Sequence, residues 1–490
     1  MGLFDIIKKN SIKFPKKIAL VIENKEFTYK LFYELILQTI KNLKKNNFKK
    51  NSIVLIVEDN SLAHVLSIFS LGYLNATIVP TGTYYSNNHL TEIINTTNVN
   101  SVIGNKYHCE IFKKNLKVKN FLCTNKSKKF NYFFESNIDK ILLKKKNNSQ
   151  KDFIITMSSG STAKPKPIVF SQETKIIRCT LFKNLYKIDS NDNTIVTSPI
   201  DHSLGMRTLF LPLLTGGTCI LMRKFIVSQY CELIKKYNIT FSVLVANQIY
   251  QLLNDYHYFK NFYLRRGLVS ASAKLFDTAK NKLIKKKINL YEMYGAAEIG
   301  TVTSINLLKE KKYFKSVGKS YDSNIKIKIL SEENIPLDYG MPGEIICKTP
   351  GKFKNYLNRK KLNDSAYYVS YFRTGDVGYL NKRGYLFFLS RKKNIIRRSG
   401  ITIYPEDIEK IFLQNNSIKE VAAIGKETKL STNIYLFILK SKNIDEAYIR
   451  KICLKKLSKF QLPNQIIFLE KFPKTNLGKI NKLKLLSLLK

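Results

Sequence analysis

Apolar positions along the first third of the chain recur with two alternating periods. Residues 31–43 (LFYELILQTIKNL) repeat their apolar side chains at helical spacing and predict an amphipathic helix, entered through Phe27, Thr28 and Tyr29. Residues 52–57 (SIVLIV) then form a short unbroken apolar run, the pattern of a buried strand. A helical stretch at 63–71 and a strand at 76–79 follow. This strand–helix–strand rhythm implies an α/β fold, a mostly parallel sheet with helices on both faces. Residues 144–151 (KKKNNSQK) interrupt it as a polar surface connection, and residues 153–157 resume as a strand running into SSGST. A second break falls near residue 390. Apolar residues 385–389 give way to Arg391, Lys392, Lys393 and Asn394, leaving about a hundred residues, the size of a small α/β domain. The expected division is therefore a large N-terminal domain, 1–392, and a small mobile C-terminal α/β domain, 393–490, with no internal repeat.

Length and composition agree with that division. A chain of 490 residues exceeds one ordinary core, and 44% hydrophobic residues with 12% aromatics suffice to bury two or three. Charge changes the picture less than its size suggests. The 83 Lys and Arg against 36 Asp and Glu give a formal +47, which on a single stripe would point to nucleic acid. Here the excess is nearly all lysine and is spread along the whole chain, as a base-composition bias would leave it, so no specific nucleic-acid partner is expected. A basic surface could still attract nucleotides, CoA or an acidic carrier protein. The seven cysteines are scattered, odd in number and lack a CxxC pair, which favours reduced thiols in a cytoplasmic setting. The start, MGLFDIIKKN, lacks a long apolar core followed by a cleavage site, so no secretory signal is expected, and Ile6 stands where a myristoylation motif needs Ser or Thr. No run of 18 apolar residues occurs, so no membrane span is expected.

Four constellations carry chemistry. Residues 158–167 (SSGSTAKPKP) crowd hydroxyls, a glycine and lysines onto a turn after a strand, a loop able to wrap polyphosphate; the alternative is a solvated Ser/Lys loop. It is not a Walker A loop, because GxxxxGK[ST] is missing. In residues 293–298 (MYGAAE), glycine beside an aromatic lets backbone approach a flat ring, and the following carboxylate suits Mg²⁺. Residues 372–376 (FRTGD) place an aspartate at a tight turn, where it accepts ribose hydroxyls or caps its own backbone. Residues 473–480 (PKTNLGKI) fix a lysine after glycine on a short loop, where it could offset charge developing on phosphate.

In this order the four resemble the AMP-forming adenylating superfamily of acyl-CoA synthetases, free-standing adenylation domains of nonribosomal peptide synthetases and firefly luciferase. The resemblance runs from Phe27 to Lys479. It implies that Ser158, Ser159, Gly160, Ser161, Thr162, Ala163, Lys164 and Lys166 surround the ATP phosphates. Ala271, Ser272 and Ala273 would line the adenine and Tyr294 would stack on it, with Gly295, Ala296 and Ala297 also at the ATP site. Glu298 would bind Mg²⁺, Asp376 and Arg391 the ribose, and Lys479 the reacting carboxylate and α-phosphate. Residues 199–205 (PIDHSLG) resemble a PxxHxxG segment, which would put His202, Ser203 and Gly205 at the acyl pocket; an ordinary buried imidazole is the alternative for His202. Lys393 matches the hinge about which the C-terminal domain would turn between half-reactions, exchanging Lys479 for Ser399 and Gly400.

Departures are visible too. Ala163 and Pro167 replace glycines usual in the phosphate loop, Ala297 replaces a threonine, Ser390 a glycine and Asn394 a common aspartate. The lost Thr hydroxyl is worth about 1 kcal/mol, enough to slow but not to stop a reaction. The implied function is ATP-dependent activation of a carboxylic acid as acyl-adenylate, then transfer to CoA or a phosphopantetheinyl carrier protein. A stand-alone enzyme loading an amino or aryl acid onto a carrier is a second reading, and a degenerate nucleotide- or acyl-binding paralogue a third. For the acid, the PxxHxxG match favours a non-amino carboxylic acid, although Asp201 can also be laid on the aspartate that holds an amino acid's ammonium.

Overall fold

Two large sheets share one layer of helices in the computed structural model, which describes residues 1–115, 117–135, 148–157, 166–271, 273, 275–398, 401–415, 418–427, 432–439, 444–474 and 480–489. The first has eight strands in the order Gly300–Asn306, Leu290–Ala296, Gly267–Ala271, Phe241–Val245, Asn193–Val196, Thr218–Leu221, Ile18–Ile22 and Lys25–Thr28. Its six inner strands are parallel and its two edge pairings antiparallel. The second has seven, in the order Asn355–Tyr356, Pro167–Ser171, Asp152–Met157, Thr77–Thr81, Ile53–Val57, Ser101–Gly104 and Asn120–Cys123.

Helix starts follow from short polar caps. Thr28 accepts a hydrogen bond from Leu31 N at 3.2 Å and opens helix Tyr29–Lys45, the element expected at 31–43. Ser61 does the same for Leu62–Tyr73 and Ser171 for Gln172–Tyr186, each such cap contributing about 1 kcal/mol. Leu62–Tyr73 is buried along nearly its whole length, because it lies in the layer between the sheets. One core accordingly contains Leu20, Val196 and Leu221 from the first sheet with Val54, Ile78 and Ile154 from the second.

The strands expected at 52–57 and 76–79 are Ile53–Val57 and Thr77–Thr81, paired in parallel in the second sheet. Ile18–Ile22, which the sequence did not single out, pairs in the first sheet with Thr218–Leu221, some 200 residues away. One expectation needs correction. The run at 385–389 is strand Leu386–Arg391, so Arg391 ends a strand and does not begin a charged loop. Residues 144–147 of the expected connection lie outside the described residues.

A third, antiparallel sheet (Lys326–Leu330, Gly343–Lys348, Tyr371–Leu380, Tyr367–Tyr368 and Leu386–Arg391) follows the first two. Beyond it, hairpin Ile396–Arg398 and Ile401–Ile403, helices Pro405–Leu413 and Glu446–Lys456, and the three-stranded sheet Val421–Glu427, Thr432–Leu439 and Gln465–Leu469 bury their own core around Ile408, Leu436 and Ile449. The fold is thus α/β, with a large N-terminal part and a small C-terminal part, as the alternation predicted.

One buried ion pair fixes the strand that leads to residues 293–298. Lys280, 1% exposed on helix Asp277–Lys285, donates to Glu292 Oε2 at 2.5 Å and to the Phe314 carbonyl at 3.2 Å. Lys280→Met leaves that carboxylate buried without its cation and should cost about 3–5 kcal/mol in urea unfolding, whereas adding Glu292→Leu should restore most of it. A loss under about 1 kcal/mol for the single change would show that water replaces the ammonium.

Candidate active site

The phosphate-loop candidates Ser158, Ser159, Gly160, Ser161, Thr162, Ala163 and Lys164 lie outside the described residues, but both flanks are fixed: Met157 pairs with Pro167 across two antiparallel strands. Pro167 opens its strand, a position that tolerates a missing N–H, and its carbonyl accepts from Leu357 N at 3.0 Å. Lys166 holds its ammonium 5.7 Å from the ring centre of Tyr356. The Tyr356 hydroxyl donates to Glu298 Oε1 at 2.8 Å, so the loop lysine and the metal-ligand candidate meet at one phenol. Nothing in the sequence singled Tyr356 out.

Residues 293–298 turn between strands Leu290–Ala296 and Gly300–Asn306. A Cβ on Gly295 would stand 1.9 Å from the Gly300 carbonyl oxygen, so only glycine permits this approach. Arg178 clamps the turn from below. Its guanidinium donates to the carbonyls of Ala297 at 2.9 Å, Glu298 at 2.6 Å and Gly351 at 2.6 Å, and to Ser203 Oγ at 3.4 Å. One buried side chain thereby joins the Glu298 turn to the helix that His202 begins. It too was missed: a lone arginine in a lysine-rich helix carries no sequence signal.

Asp376 is 1% exposed; its carboxylate accepts a hydrogen bond from the Tyr294 hydroxyl at 2.7 Å and pairs in charge with Arg391, whose Nε lies 2.7 Å from Oδ1. The structure corrects the expectation of a turn residue. Asp376 lies inside strand Tyr371–Leu380, opposite Arg391 in register, and faces across strands instead of capping its own backbone. Gly375, with φ of +68°, supplies the kink that aims it. Burial first, then the Asp376 charge, holds the Tyr294 phenol well above its ordinary pKa, so it remains a donor. Arg391 is 46% exposed, and the following turn Lys392–Asn394 carries Lys393. Partial burial, then the charges of Arg391 and Lys166, lowers the Lys393 ammonium. Lys166, Asp376, Arg391 and Lys393 thus share one electrostatic neighbourhood.

His202 is the residue preceding helix Ser203–Thr215, and its Nε2 lies 3.1 Å from the Tyr84 hydroxyl. Tyr84 also donates to Asp201, and Asp201 Oδ2 lies 4.0 Å from His202 Nε2. The ring is therefore a bonded group and only partly buried, not a sealed core histidine. At Gly205 a Cβ would meet the Pro199 carbonyl oxygen at 2.0 Å, which presses this helix start onto the chain entering it. Ala271 ends strand Gly267–Ala271, and the exposed Ala273 donates its N–H to the Ala271 carbonyl at 2.9 Å. Ser272, Ser399, Gly400 and Lys479 lie outside the described residues.

Comparison with known proteins decides the family. The model described as "AMP-binding enzyme" matches residues 7–357, and that of the "AMP-binding enzyme C-terminal domain" matches residues 407–479. The chain belongs to the AMP-binding enzyme family. Among its relatives, a 2-succinylbenzoate–CoA ligase of Listeria monocytogenes is 28% identical over 96% of both chains. An oxalate–CoA ligase of Arabidopsis thaliana is 24% identical over 98% of this chain and 96% of that one. The fold matches o-succinylbenzoate CoA synthetase of Bacillus subtilis, solved with its acyl-adenylate intermediate, at a TM-score of 0.90 and 19% identity, covering 99% of this chain and 98% of the other.

The tight crossing at Gly295 yields a direct test. Gly295→Ala should cost about 1–3 kcal/mol in thermal unfolding, because two strands must part, and should weaken nucleotide binding in the same proportion. Gly375→Ala, where no atom lies within 4 Å, should cost only the backbone strain of about 1 kcal/mol. Equal losses at the two positions would mean that the close approach is not the constraint.

Proposed function

We propose that this AMP-binding enzyme is an acid–CoA ligase, which forms an acyl-adenylate from ATP and a carboxylic acid and then passes the acyl group to the CoA thiol. The observation that carries the reading is the convergence of Lys166, Tyr294, Glu298, Asp376 and Arg391 through the Tyr356 and Asp376 hydrogen bonds, within a family that binds AMP. The Listeria and Arabidopsis relatives are both named as CoA ligases, which favours CoA over a carrier protein as acceptor.

In this reading Asp376 and Arg391 hold the ribose, and Tyr294 with Ala271 to Ala273 encloses the adenine. The loop from Ser158 to Lys166 wraps the outer phosphates. Glu298, its carboxylate already oriented by Tyr356, would hold Mg²⁺, which supplies charge neutralisation on the phosphates when bound. A single carboxylate suits that ion, which shares its shell with phosphates and water, and the Bacillus subtilis synthetase has been solved with ATP and magnesium. The substrate carboxylate attacks the α-phosphorus in line and pyrophosphate leaves, while Lys166 and Lys479 offset the charge on the phosphate oxygens. The part beyond Lys393 then turns about that residue, withdrawing Lys479 and opening the path for the thiol. The thiolate attacks the acyl carbon and AMP leaves. That division, 1–392 and 393–490, is supported by the separate core around Ile408 and Leu436.

ATP–pyrophosphate exchange against fatty, aryl, hydroxy and amino acids tests the first half-reaction, and should require Mg²⁺ and stop with EDTA. Lys479→Ala should abolish exchange while thioester formation from supplied acyl-AMP and CoA largely survives. Equal loss of both half-reactions would overturn the rotation, and silence with every acid despite ATP binding would point to the degenerate paralogue.

A further inference from the structure

Three cations lie together in the interior, and among the described residues none has a carboxylate within ion-pair distance. Lys175 and Arg178 stand one turn apart on helix Gln172–Tyr186, 4% and 5% exposed. Arg207 lies on the adjoining helix Ser203–Thr215. Lys175 Nζ has no hydrogen-bond partner and rests 3.8 Å from the ring centre of Phe170; Arg178 stacks on the same ring at 4.6 Å. Every Arg178 acceptor is neutral. Arg207 donates from Nη1 to Thr301 Oγ1 and lies over the Phe182 ring, while its Nε has no partner.

Such an arrangement is costly. A buried charge without a counter-charge is strongly unfavourable, and like charges on neighbouring turns add repulsion. Burial, and then the neighbouring cations, push Lys175 well below the usual lysine range and Arg178 down to about 9. A guanidinium does not escape by losing its proton in any ordinary pH range, so the two arginines remain charged. The carbonyls that Arg178 clamps account for that residue, but nothing in the stability of the fold asks for Lys175 and Arg207 beside it. A counter-charge that arrives with a ligand would.

Location identifies the ligand. Arg207 lies on the helix that His202 precedes, five residues further along the chain, and its partner Thr301 directly follows Gly300, which pairs with Ala296. Thr301 Oγ1 also lies 3.3 Å from Met293 Sδ, beside Tyr294. The cluster therefore backs the wall between the acyl-pocket helix and the strands that carry Tyr294. Lys166 and its loop lie on the Tyr356 side of Glu298, so the ATP phosphates are provided for elsewhere. Of the three cations, Arg207 alone is partly exposed, although its Nε is buried.

We propose that Lys175, Arg178 and Arg207 form the subsite for a second anionic group on the acid, so that the substrate is a dicarboxylic acid of which one carboxylate is adenylated and the other is held by Arg207. This inference rests on the acid-activating reading above. The carboxylate at the cluster is not the one that reacts, because the reacting oxygen must reach the α-phosphorus. Arg207 makes the contact, while Arg178, and Lys175 whenever it is protonated, contribute field, which strengthens the attraction where water is excluded.

Matched acids test it: hexanoate with adipate, benzoate with phthalate, phenylbutanoate with carboxyphenylbutanoate, each in pyrophosphate exchange with the full-length enzyme. The dicarboxylic member should have the higher kcat/KM by at least about tenfold. Arg207→Gln should lower the ratio of dicarboxylic to monocarboxylic kcat/KM by about 10- to 100-fold, chiefly through KM, the range for a lost charged hydrogen bond. Arg207→Lys should recover part of it, the remainder reporting the lost planar fork. Preference of the wild-type enzyme for monocarboxylic acids, or an unchanged ratio in Arg207→Gln, overturns the subsite and leaves the ligase reading standing. Silence with every acid, ATP still binding, overturns the ligase reading and the subsite with it.

Discussion

The carboxylate of Asp376 is the constraint on which the rest of the site depends. It is almost fully buried, and a buried carboxylate persists only when donors surround it. Its partners come from different parts of the chain: the Tyr294 hydroxyl, which donates to it, from the eight-stranded sheet, and the Arg391 charge from the last strand before the C-terminal part. Satisfying one charge therefore fixes the antiparallel sheet against the large parallel one, and sets where the chain leaves for the hinge candidate Lys393. The proposed ribose contacts and the proposed hinge are two ends of one hydrogen-bonded unit.

Arg178 plays the corresponding part on the opposite side of the turn. Three of its four bonds go to backbone carbonyls, which tie residues 297, 298 and 351 to one helix. Rigid support of this kind suits a site whose proposed chemistry is electrostatic, since dipoles that need not reorganise stabilise developing charge most effectively. The same helix carries Lys175, and the adjoining one Arg207. Positive charge thus continues from beneath Glu298 to the wall behind Thr301, and in the proposed reading it links how an acid is activated to which acid is chosen.

The departures from the family pattern look different once placed. Pro167 opens a strand, where a missing N–H costs little, and its carbonyl is still used by Leu357. Ala297 has lost a hydroxyl, yet its carbonyl is one of the Arg178 acceptors, a role that any residue can fill. The formal +47, by contrast, says little about function. It is the few buried cations, not the many exposed ones, that carry information, because only the buried ones lack water to solvate them.

Sequence alone determined the alternation of helices and strands, the small C-terminal part and the ordered motifs from SSGSTAKPKP to PKTNLGKI. Those features are local: period, caps such as Thr28 and Ser61, and fixed spacing can be read without knowing what lies opposite. The tertiary structure decided what depends on partners distant along the chain. It assigned Ile18–Ile22 to a different sheet from Ile53–Val57, turned Asp376 from a turn residue into a buried acceptor, and brought Tyr356 onto Glu298. It also buried Lys175 and Arg178 while leaving dozens of similar residues in solvent. In a chain with 83 Lys and Arg, no sequence pattern distinguishes a solvated cation from a desolvated one, because desolvation is a property of everything packed around the residue.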